Sequence, residues 1–537
     1  MESKYTAEEI WELYEKGVQH HRRNNLYVKT EQNYNFFDGN QWVGVKTDGY
    51  EPPSYNIIQQ IVRHKYSNCV MQNIELVFDS DIDEINEAMN LYGRKALENI
   101  NFDKHKWTVS KDAAIAGDSY LYITDGANDA QVIDNTSIYF SDETSKNLQE
   151  QKYIIISERL FVSDVKEIAA ENGIPEAEIN YITSDEDNDN KDRRINEVHK
   201  DSKCTSLLFM YRENGTIHFL KCVRNCIYQP AQDSKSRLYP IASYVVSQKK
   251  YSSRGLGNVA PLIPNQIELN KTLFRRAQAI KNVAFPKITY NKELVRNPEA
   301  LNTAGAVIGI SGTGGQKVSD FVSYLNPGYV GNDAKEFTDE LIVVTKETNS
   351  SGDGALGQVN PETSSGAAIQ ALTQQANIAL TEQLNGFVGF VESVGKILIE
   401  FWKLNNPDGI PIDMGEGNSI LIDGKTLGEL KFEVSVSSNQ PMDKMQVEQE
   451  LKQMFLAQVI TFEEFVESLD NDGYLPKAKL KAIADKRAET QRMMAELQQI
   501  IDTQRQLISQ YEARDMVENV GAPYPQEIPA EGEPLYR

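Results

Sequence analysis

Between two helix patterns the chain runs Ser350-Ser-Gly-Asp-Gly-Ala-Leu-Gly-Gln-Val-Asn-Pro-Glu-Thr-Ser-Ser-Gly366, rich in Gly, Ser and Asn. Before it, Asn332 to Lys346 places Phe337, Leu341 and Val344 on one helical face. After it, Ala367 to Lys403 has almost no helix breakers. A compact domain rarely keeps an irregular connection of this length between helices unless the connection has a use. The fold must therefore present a long polar loop between two helices.

At 537 residues the chain exceeds what one hydrophobic core holds, about 250–300 residues, so more than one packed unit is expected. Acids outnumber bases 78 to 55, a net charge of −23. That disfavours a protein that wraps DNA by neutralising phosphates; it does not argue against a channel through which DNA slides, since acidic walls repel phosphate. A soluble acidic protein kept apart by its own charge is the plainer reading of the same numbers. No segment reaches the ~18 apolar residues of a membrane span. The N-terminus lacks the basic and apolar regions of a signal peptide. Cys69, Cys204, Cys222 and Cys226 imply no disulfide framework, and synthesis in a reducing cytoplasm is expected.

Periodicity predicts α+β elements. Residues 6–24 read as a helix capped by Thr6 with Glu9 in capping-box position, and 56–72, 82–99 and 107–116 are helical. Asn35 to Trp42 reads as an aromatic turn. Strands are expected at 119–123, 132–140, 153–160, 206–211, 216–223 and 241–246, with Glu213-Asn-Gly215 as a hairpin turn. Residues 184–193 read as a solvated loop. A helix at 258–283 is followed by a small β-rich insert at 287–325, with strands at 287–290, 306–310 and 321–324. Strands recur at 419–422 and 431–436 around Asp423-Gly424, taken as a hairpin. The last third is helical: 442–456, a second capping box at Thr461-Phe-Glu-Glu464, and 477–513 with a stripe of Met493, Leu497, Ile500, Ile501, Leu507, Ile508 and Tyr511. Residues 516–537, rich in Pro and Glu, read as a disordered tail.

Chemistry-bearing patterns are sparse. Cys204, His218, Cys222 and Cys226 are residue types that suit zinc, but Cys-x3-Cys is not the usual pair spacing, and a strand turning at Arg224-Asn225 explains it. Asp185, Asp187 and Asp189 begin like a calcium loop, yet Asn190 stands where Gly is needed and Asn196 where the bidentate Glu is needed. Ser468 to Gly473 begins similarly, but Lys479 holds the Glu position. Ser311-Gly-Thr-Gly-Gly-Gln316 lacks the Gly-Lys-Ser/Thr ending of a phosphate loop. No catalytic motif is recognised, and neither catalytic residues, metal nor cofactor is expected. Lys271, Arg275, Arg276 and Lys281 form a basic cluster on the 258–283 helix, either a solvated face or a site of phosphate contact or subunit pairing.

Several segments resemble blocks of the portal proteins of tailed double-stranded DNA phages. Ser365-Gly-Ala-Ala-Ile-Gln370 resembles the start of that family's long helix after its channel loop. Tyr34-Asn-Phe-Phe-Asp-Gly39 resembles an N-terminal aromatic-Gly block, and Lys111 to Tyr120 the helix-to-strand block before the β wing. Tyr239-Pro240, Ser253-Arg-Gly-Leu-Gly257 and Leu262 to Ile267 resemble the approach to the stem. The order of elements carries more of the likeness than any single motif, to about residue 515. The resemblance implies a portal-type fold: wing 1–257, stem helix 258–285, clip 286–328, stem helix 329–349, tunnel loop 350–366, long wing helix and hairpin 367–445, helical crown 446–515. It implies a ring of twelve at one capsid vertex, the channel for DNA packaging and ejection, made in the host cytoplasm and carried in the virion. Its implied partners are double-stranded DNA, the terminase large subunit, the major capsid and scaffolding proteins and a head-completion or tail adaptor. Asp353, Gln358, Asn360 and Glu362 would line the channel loop; Phe337 and Leu341 would face a neighbouring subunit. A two-helix stem with a small insert cannot bury its own apolar faces, so neighbours are expected to cover them.

Two alternatives stand beside it. A cytoplasmic oligomeric scaffold or adaptor would use the C-terminal helices without moving DNA. A nucleotide hydrolase would need a phosphate-binding motif.

Overall fold

The structure is a computed structural model. It describes residues 4–46, 52–79, 82–124, 126, 128–185, 203–284, 287–303, 305–310, 312, 314–315, 317–325, 332–352, 378–415, 418–423, 431–438, 441–469 and 475–518. The chain divides into two compact units, Met1–Ser437 and Ser438–Arg537. The protein is α+β.

The first unit opens with α1 (Ala7–Arg23), started by the expected capping box: Glu9 N donates to Thr6 Oγ1 and Thr6 N to the Glu9 carboxylate. It continues through α2 (Leu26–Asp38), α3 (Ile57–Val70), β1 (Gln72–Asp79), α4 (Asp83–Asn99) and α5 (Phe102–Ala116). The sequence Asn35–Trp42, expected as a turn, is instead the end of α2 followed by its cap, where Gly39 takes φ 89°. Asn and aromatic residues are weak helix formers, so the pattern hid the helix. Burial of Tyr27, Asn33, Phe36 and Phe37 stabilises it.

Next come β2 (Asp118–Thr124), β3 (Asp129–Ile133), β4 (Ile138–Phe140), β5 (Tyr153–Phe161), α6 (Val162–Glu171), α7 (Glu176–Ile179), β6 (Lys203–Glu213), β7 (Thr216–Val223), β8 (Cys226–Asp233) and β9 (Ile241–Val245). Strands β4 to β8 form one antiparallel meander in chain order, and β3-β2-β9 a second antiparallel sheet. The run 132–140 is thus two strands in two sheets, separated where Ser137 N closes a turn onto Asp134 O. Asn214 and Gly215, at φ 50° and 90°, make the expected hairpin turn. Strand β8 is polar and contains Pro230, which an edge strand tolerates.

Both faces of the five-stranded sheet are covered, which explains its uninterrupted apolar runs. Ile155, Leu207, Phe209 and Tyr211 pack under α1 against Ile10, Trp11, Tyr14 and Val18. Ile154, Ile156, Leu208 and Met210 face the other way, against Tyr120, Ile133 and Ile241 of the second sheet. That sheet's far face, with Leu121, Ile123, Ala242 and Tyr244, packs on α4, α5 and a long helix described below.

The chain then passes to α8 (Ile263–Ala284), β10 (Ile288–Tyr290), β11 (Val322–Tyr324), α9 (Asp333–Thr348) and α10 (Thr381–Asn405). Strands β10 and β11 pair antiparallel within the chain, Thr289 opposite Ser323. The strand expected at 306–310 is absent; Ile310 makes only an isolated bridge with Val295. Helix α10 buries Phe387, Phe390, Val394, Leu398 and Trp402 against the second sheet and α4. The unit ends with β12 (Ile410–Gly415), β13 (Asn418–Ile422) and β14 (Lys431–Ser438). The expected hairpin of β13 with β14 does not form: β13 pairs with β12, and β14 crosses to β1. Strand pairing is non-local, and turn residues alone do not choose the partner.

The second unit comprises α11 (Pro441–Leu456), α12 (Phe462–Glu467) and α13 (Lys477–Glu518). Phe465, Val466 and Leu469 form its small core, joined by Leu451, Phe455, Phe462 and Leu480. The Thr461 capping box is present, with Glu464 N donating to Thr461 Oγ1. Met493, Leu497, Ile500, Ile501, Leu507 and Ile508 of α13 are exposed.

Candidate assembly surface and its buried anchor

Helices α8 and α9 lie antiparallel. Asn265, early in α8, donates to Thr345 Oγ1, late in α9, at 3.1 Å. The buried residues of α8 are Ile263, Gln266, Leu269 and Asn270, all near its start. There a chain of amides ties it to the body. Gln266 Nε2 donates to Tyr55 O (2.8 Å) and Asn270 Oδ1 (3.0 Å), and Gln266 Oε1 accepts from Ile57 N. Asn270 Nδ2 donates to Gln41 Oε1 at 2.6 Å, and Gln41 to Phe36 O. Each amide is satisfied, so the polar cluster can sit inside an apolar neighbourhood.

Away from this root the pair loses cover. Ile280 and Val283 of α8 and Phe337, Val343 and Val344 of α9 are exposed, Phe337 by 46% and Val344 by 43%. Leu341, predicted beside Phe337, behaves differently. It is half-buried and packs with Ile342 on the core of α2, α3 and the root of α8. Of the basic cluster, Lys271, Arg275 and Lys281 are exposed and Arg276 is half-buried. Lys271, Arg275 and Arg276 have no carboxylate partner among the described residues. Ser351 N donates to Lys346 O as α9 ends. Asp353, Gln358, Asn360 and Glu362 lie outside the described residues.

The chain reaches α8 through a buried ionic node that matches no sequence motif. Arg254 is 7% exposed. Its Nε and Nη2 donate to the two carboxylate oxygens of Glu143 at 3.0 and 3.1 Å, and Nη1 donates to Asp118 Oδ2 at 3.3 Å. Asn135 O (2.8 Å) and Ile138 O (2.7 Å) accept from Nη1 and Nη2 as well, so these N–H groups are shared between acceptors. The guanidinium also sits over the Phe140 ring, 4.8 Å from its centroid. Burial alone would push Glu143 up, but Arg254 holds it well below the usual carboxylate range. His21 Nε2 lies 3.0 Å from Arg254 Nη2, and the ring stacks on Tyr139 at 4.5 Å. Burial pushes His21 down from 6.5 to about 4, against the pull of its Glu143 contact, so it is neutral and accepts from Arg254. Its other nitrogen, Nδ1, has no hydrogen-bond partner.

The backbones cross tightly at the same place. A Cβ on Gly255 would stand 2.2 Å from Gly117 O, and one on Gly257 2.5 Å from Ile115 O. Gly255 N donates to Asp118 Oδ1, and Asn258 N to Ala114 O. Thus the 111–120 and 253–257 segments, far apart in the sequence, meet in space. Tyr34 of the 34–39 segment joins them, its hydroxyl donating to Asp112 Oδ1 at 2.7 Å. Burial raises Asp112 from 3.8 to about 6 despite that bond.

The metal candidates do not converge. Cys222 packs under α1, whereas Cys204 and Cys226 pack with Val165 and Ala169 of α6 in another cluster. His218 stacks on Tyr211, 5.4 Å between centroids. All four cysteines are buried and free, and burial pushes the Cys204 thiol up to about 11. Among the described residues no three His, Cys, Asp or Glu side chains could hold a metal ion. Asp185, expected in a solvated loop, accepts from Arg159 Nη1 and from Thr205 N (2.9 Å); Asp187 and Asp189 lie outside the described residues. No helix among the described residues is long and apolar enough to cross a membrane. Compared with known proteins, the chain matches no family model and no curated protein.

Proposed function

We propose that this chain is the subunit of a portal-type ring of a tailed double-stranded DNA phage, a DNA channel and docking platform with no catalytic role. The observation that carries the reading is the α8–α9 pair. It is rooted in the body by the Gln266–Asn270 amide chain, interrupted by a small β insert, and left with apolar residues on both helices uncovered. An isolated helix pair gains little from exposed Phe, Val and Ile; a neighbouring copy in a ring would cover them. The order of elements supports the same reading: α/β body, helix, β insert, helix, and after residues 353–377 a long helix, then a helical C-terminal unit. In this ring α8 and α9 are the stem, 286–328 the clip and α11–α13 the crown. The terminase, the capsid and scaffolding proteins and the tail adaptor are its partners.

The test is mass and shape in solution. The purified chain should form closed rings with a central hole by negative-stain imaging and light scattering. Phe337→Asp with Val344→Asp places two charges on the exposed face, where they should block assembly without unfolding the monomer. Leu341 is avoided because it packs within its own chain. A monomeric parent, or a double variant that assembles as the parent does, refutes the reading. A small oligomer without a hole would favour an adaptor.

A further inference from the structure

Among the described residues, α13 packs on its own unit near its start. Leu480 joins the small core of Phe465, Val466 and Leu469, and Ala484 is buried. From Arg492 to Ser509 every residue is exposed, on all sides of the helix. This stretch spans about 27 Å, roughly five turns. A helix of that length standing alone is marginal in water, because packing of an amphipathic face supplies most helical stability.

The face is there. Met493, Ile500 and Leu507 recur at intervals of seven; so do Met494, Ile501 and Ile508, and Leu497 is followed by Gln504. The other side carries Glu496, Gln499, Asp502, Thr503 and Gln506. In a heptad written abcdefg the stripe occupies g, a and d. A repeat of seven drifts around a straight helix and stays in line only when helices supercoil about one another. The surface that fits this face is therefore another helix of the same repeat. Three apolar positions in seven make a wider face than the a/d seam of a two-stranded coil, so each helix can touch two neighbours.

The partner is a second copy of this chain, on three grounds. Gln504 lies in the seam between Ile501 and Ile508. Opposite an apolar helix its amide would be buried unpaired; beside its own copies in register, amide meets amide, donor to acceptor. Charge agrees. In a parallel, in-register bundle Met493, Ile500 and Leu507 at g meet Gln498, Arg505 and Glu512 at e of the next copy. No like charges face each other there, and long polar side chains lie along apolar surface. Area is sufficient as well. The seven apolar residues are 47% to 65% exposed, which offers on the order of 700 Å² per copy and about 1,400 Å² for a pair, against the roughly 1,000 Å² a specific interface needs.

We propose that α13 assembles with copies of itself into a parallel, in-register bundle through the stripe from Met493 to Ile508. This goes beyond the portal reading and holds whether or not α8 and α9 close a ring.

The experiment is crosslinking of the full chain carrying Met493→Cys with Gln498→Cys, using a short bismaleimide. These two positions face each other between parallel, in-register neighbours. The native cysteines are all buried and should stay unreacted. A denaturing gel should show a ladder of three chains and more. Arg492→Cys with Gln499→Cys, on the outer face, should give at least tenfold less product. Adding Ile501→Asp and Ile508→Asp to the first pair should abolish the ladder. Those two side chains are exposed in the single chain, so the thermal midpoint of the first unit, which holds all four tryptophans, should not move by fluorescence. Amide hydrogen exchange over 492–509 should be slow in the parent and fast in the aspartate variant. No ladder, a ladder that stops at two chains, or equal product from both cysteine pairs overturns the bundle. So does fast exchange over 492–509 in the parent. Slow exchange without any crosslink overturns it too, because something other than a second copy then covers the stripe. A ladder from a parent that forms no ring keeps this inference and removes the portal reading; rings without a ladder do the reverse.

Discussion

Replacing Arg254 with Met keeps side-chain length and apolar bulk but removes the charge. Glu143 and Asp118, respectively 11% and 1% exposed at their side chains, would then be left in the interior without a cation. Breaking a buried ion pair from one side costs about 3–5 kcal/mol. The carbonyls of Asn135 and Ile138 also lose their donor, at about 1 kcal/mol or more each if they stay dry. The expected loss is therefore roughly 5–7 kcal/mol, a large share of the 5–15 kcal/mol typical of a folded domain. Urea unfolding followed by tryptophan fluorescence measures it cleanly. All four tryptophans, Trp11, Trp42, Trp107 and Trp402, lie in the first unit, so the second contributes nothing to the signal. Adding Glu143→Gln and Asp118→Asn to Arg254→Met removes the stranded charges and should recover a substantial part of the loss. A single variant within about 1 kcal/mol of the parent would refute this account. A triple variant no better than the single one would show that packing, not charge, holds the node.

The node should also make the first unit acid-sensitive. His21 in the folded state has its pKa depressed to about 4 from 6.5, so the unfolded chain binds its proton first. The stabilisation is complete above about pH 6.5 and fades as pH falls toward 4, amounting to roughly 3 kcal/mol at full extent. Glu143, also depressed, loses its contribution on the acid side as well. Asp112 runs the opposite way: raised to about 6, it stabilises best when protonated and less as pH climbs through 6. His21→Gln, which keeps an acceptor for Arg254 but does not titrate, should flatten the acid limb of a stability–pH curve; an unchanged limb would exclude His21 as its cause. Gly255→Ala forces a Cβ to 2.2 Å from Gly117 O, backbone against backbone, and should lower stability by about 1–3 kcal/mol or more by the same urea assay. A neutral result there would mean the crossing is loose.

The sequence alone determined the local elements whose causes are local. Thr6 with Glu9 and Thr461 with Glu464 announce their helices because a capping box needs only four residues. Asn214-Gly215 announces its turn because only such residues take positive φ at low cost. The apolar stripe of α3 and the alternating faces of β5 and β6 were legible for the same reason. Tertiary structure decided what depends on distant partners. It made Asn35 to Asp38 helical by burying Phe36 and Phe37, split 132–140 between two sheets, and sent β14 to β1 rather than to β13. It also separated Leu341, packed within its own chain, from Phe337, left exposed on the same helix. Most of all it assembled the node. His21, Asp118, Glu143 and Arg254 are spread over more than two hundred residues and match no motif, because the free energy of a buried charge depends on which groups the fold brings within about 3 Å of it. Two glycines, a guanidinium and two carboxylates became one structural element only when the chain closed around them.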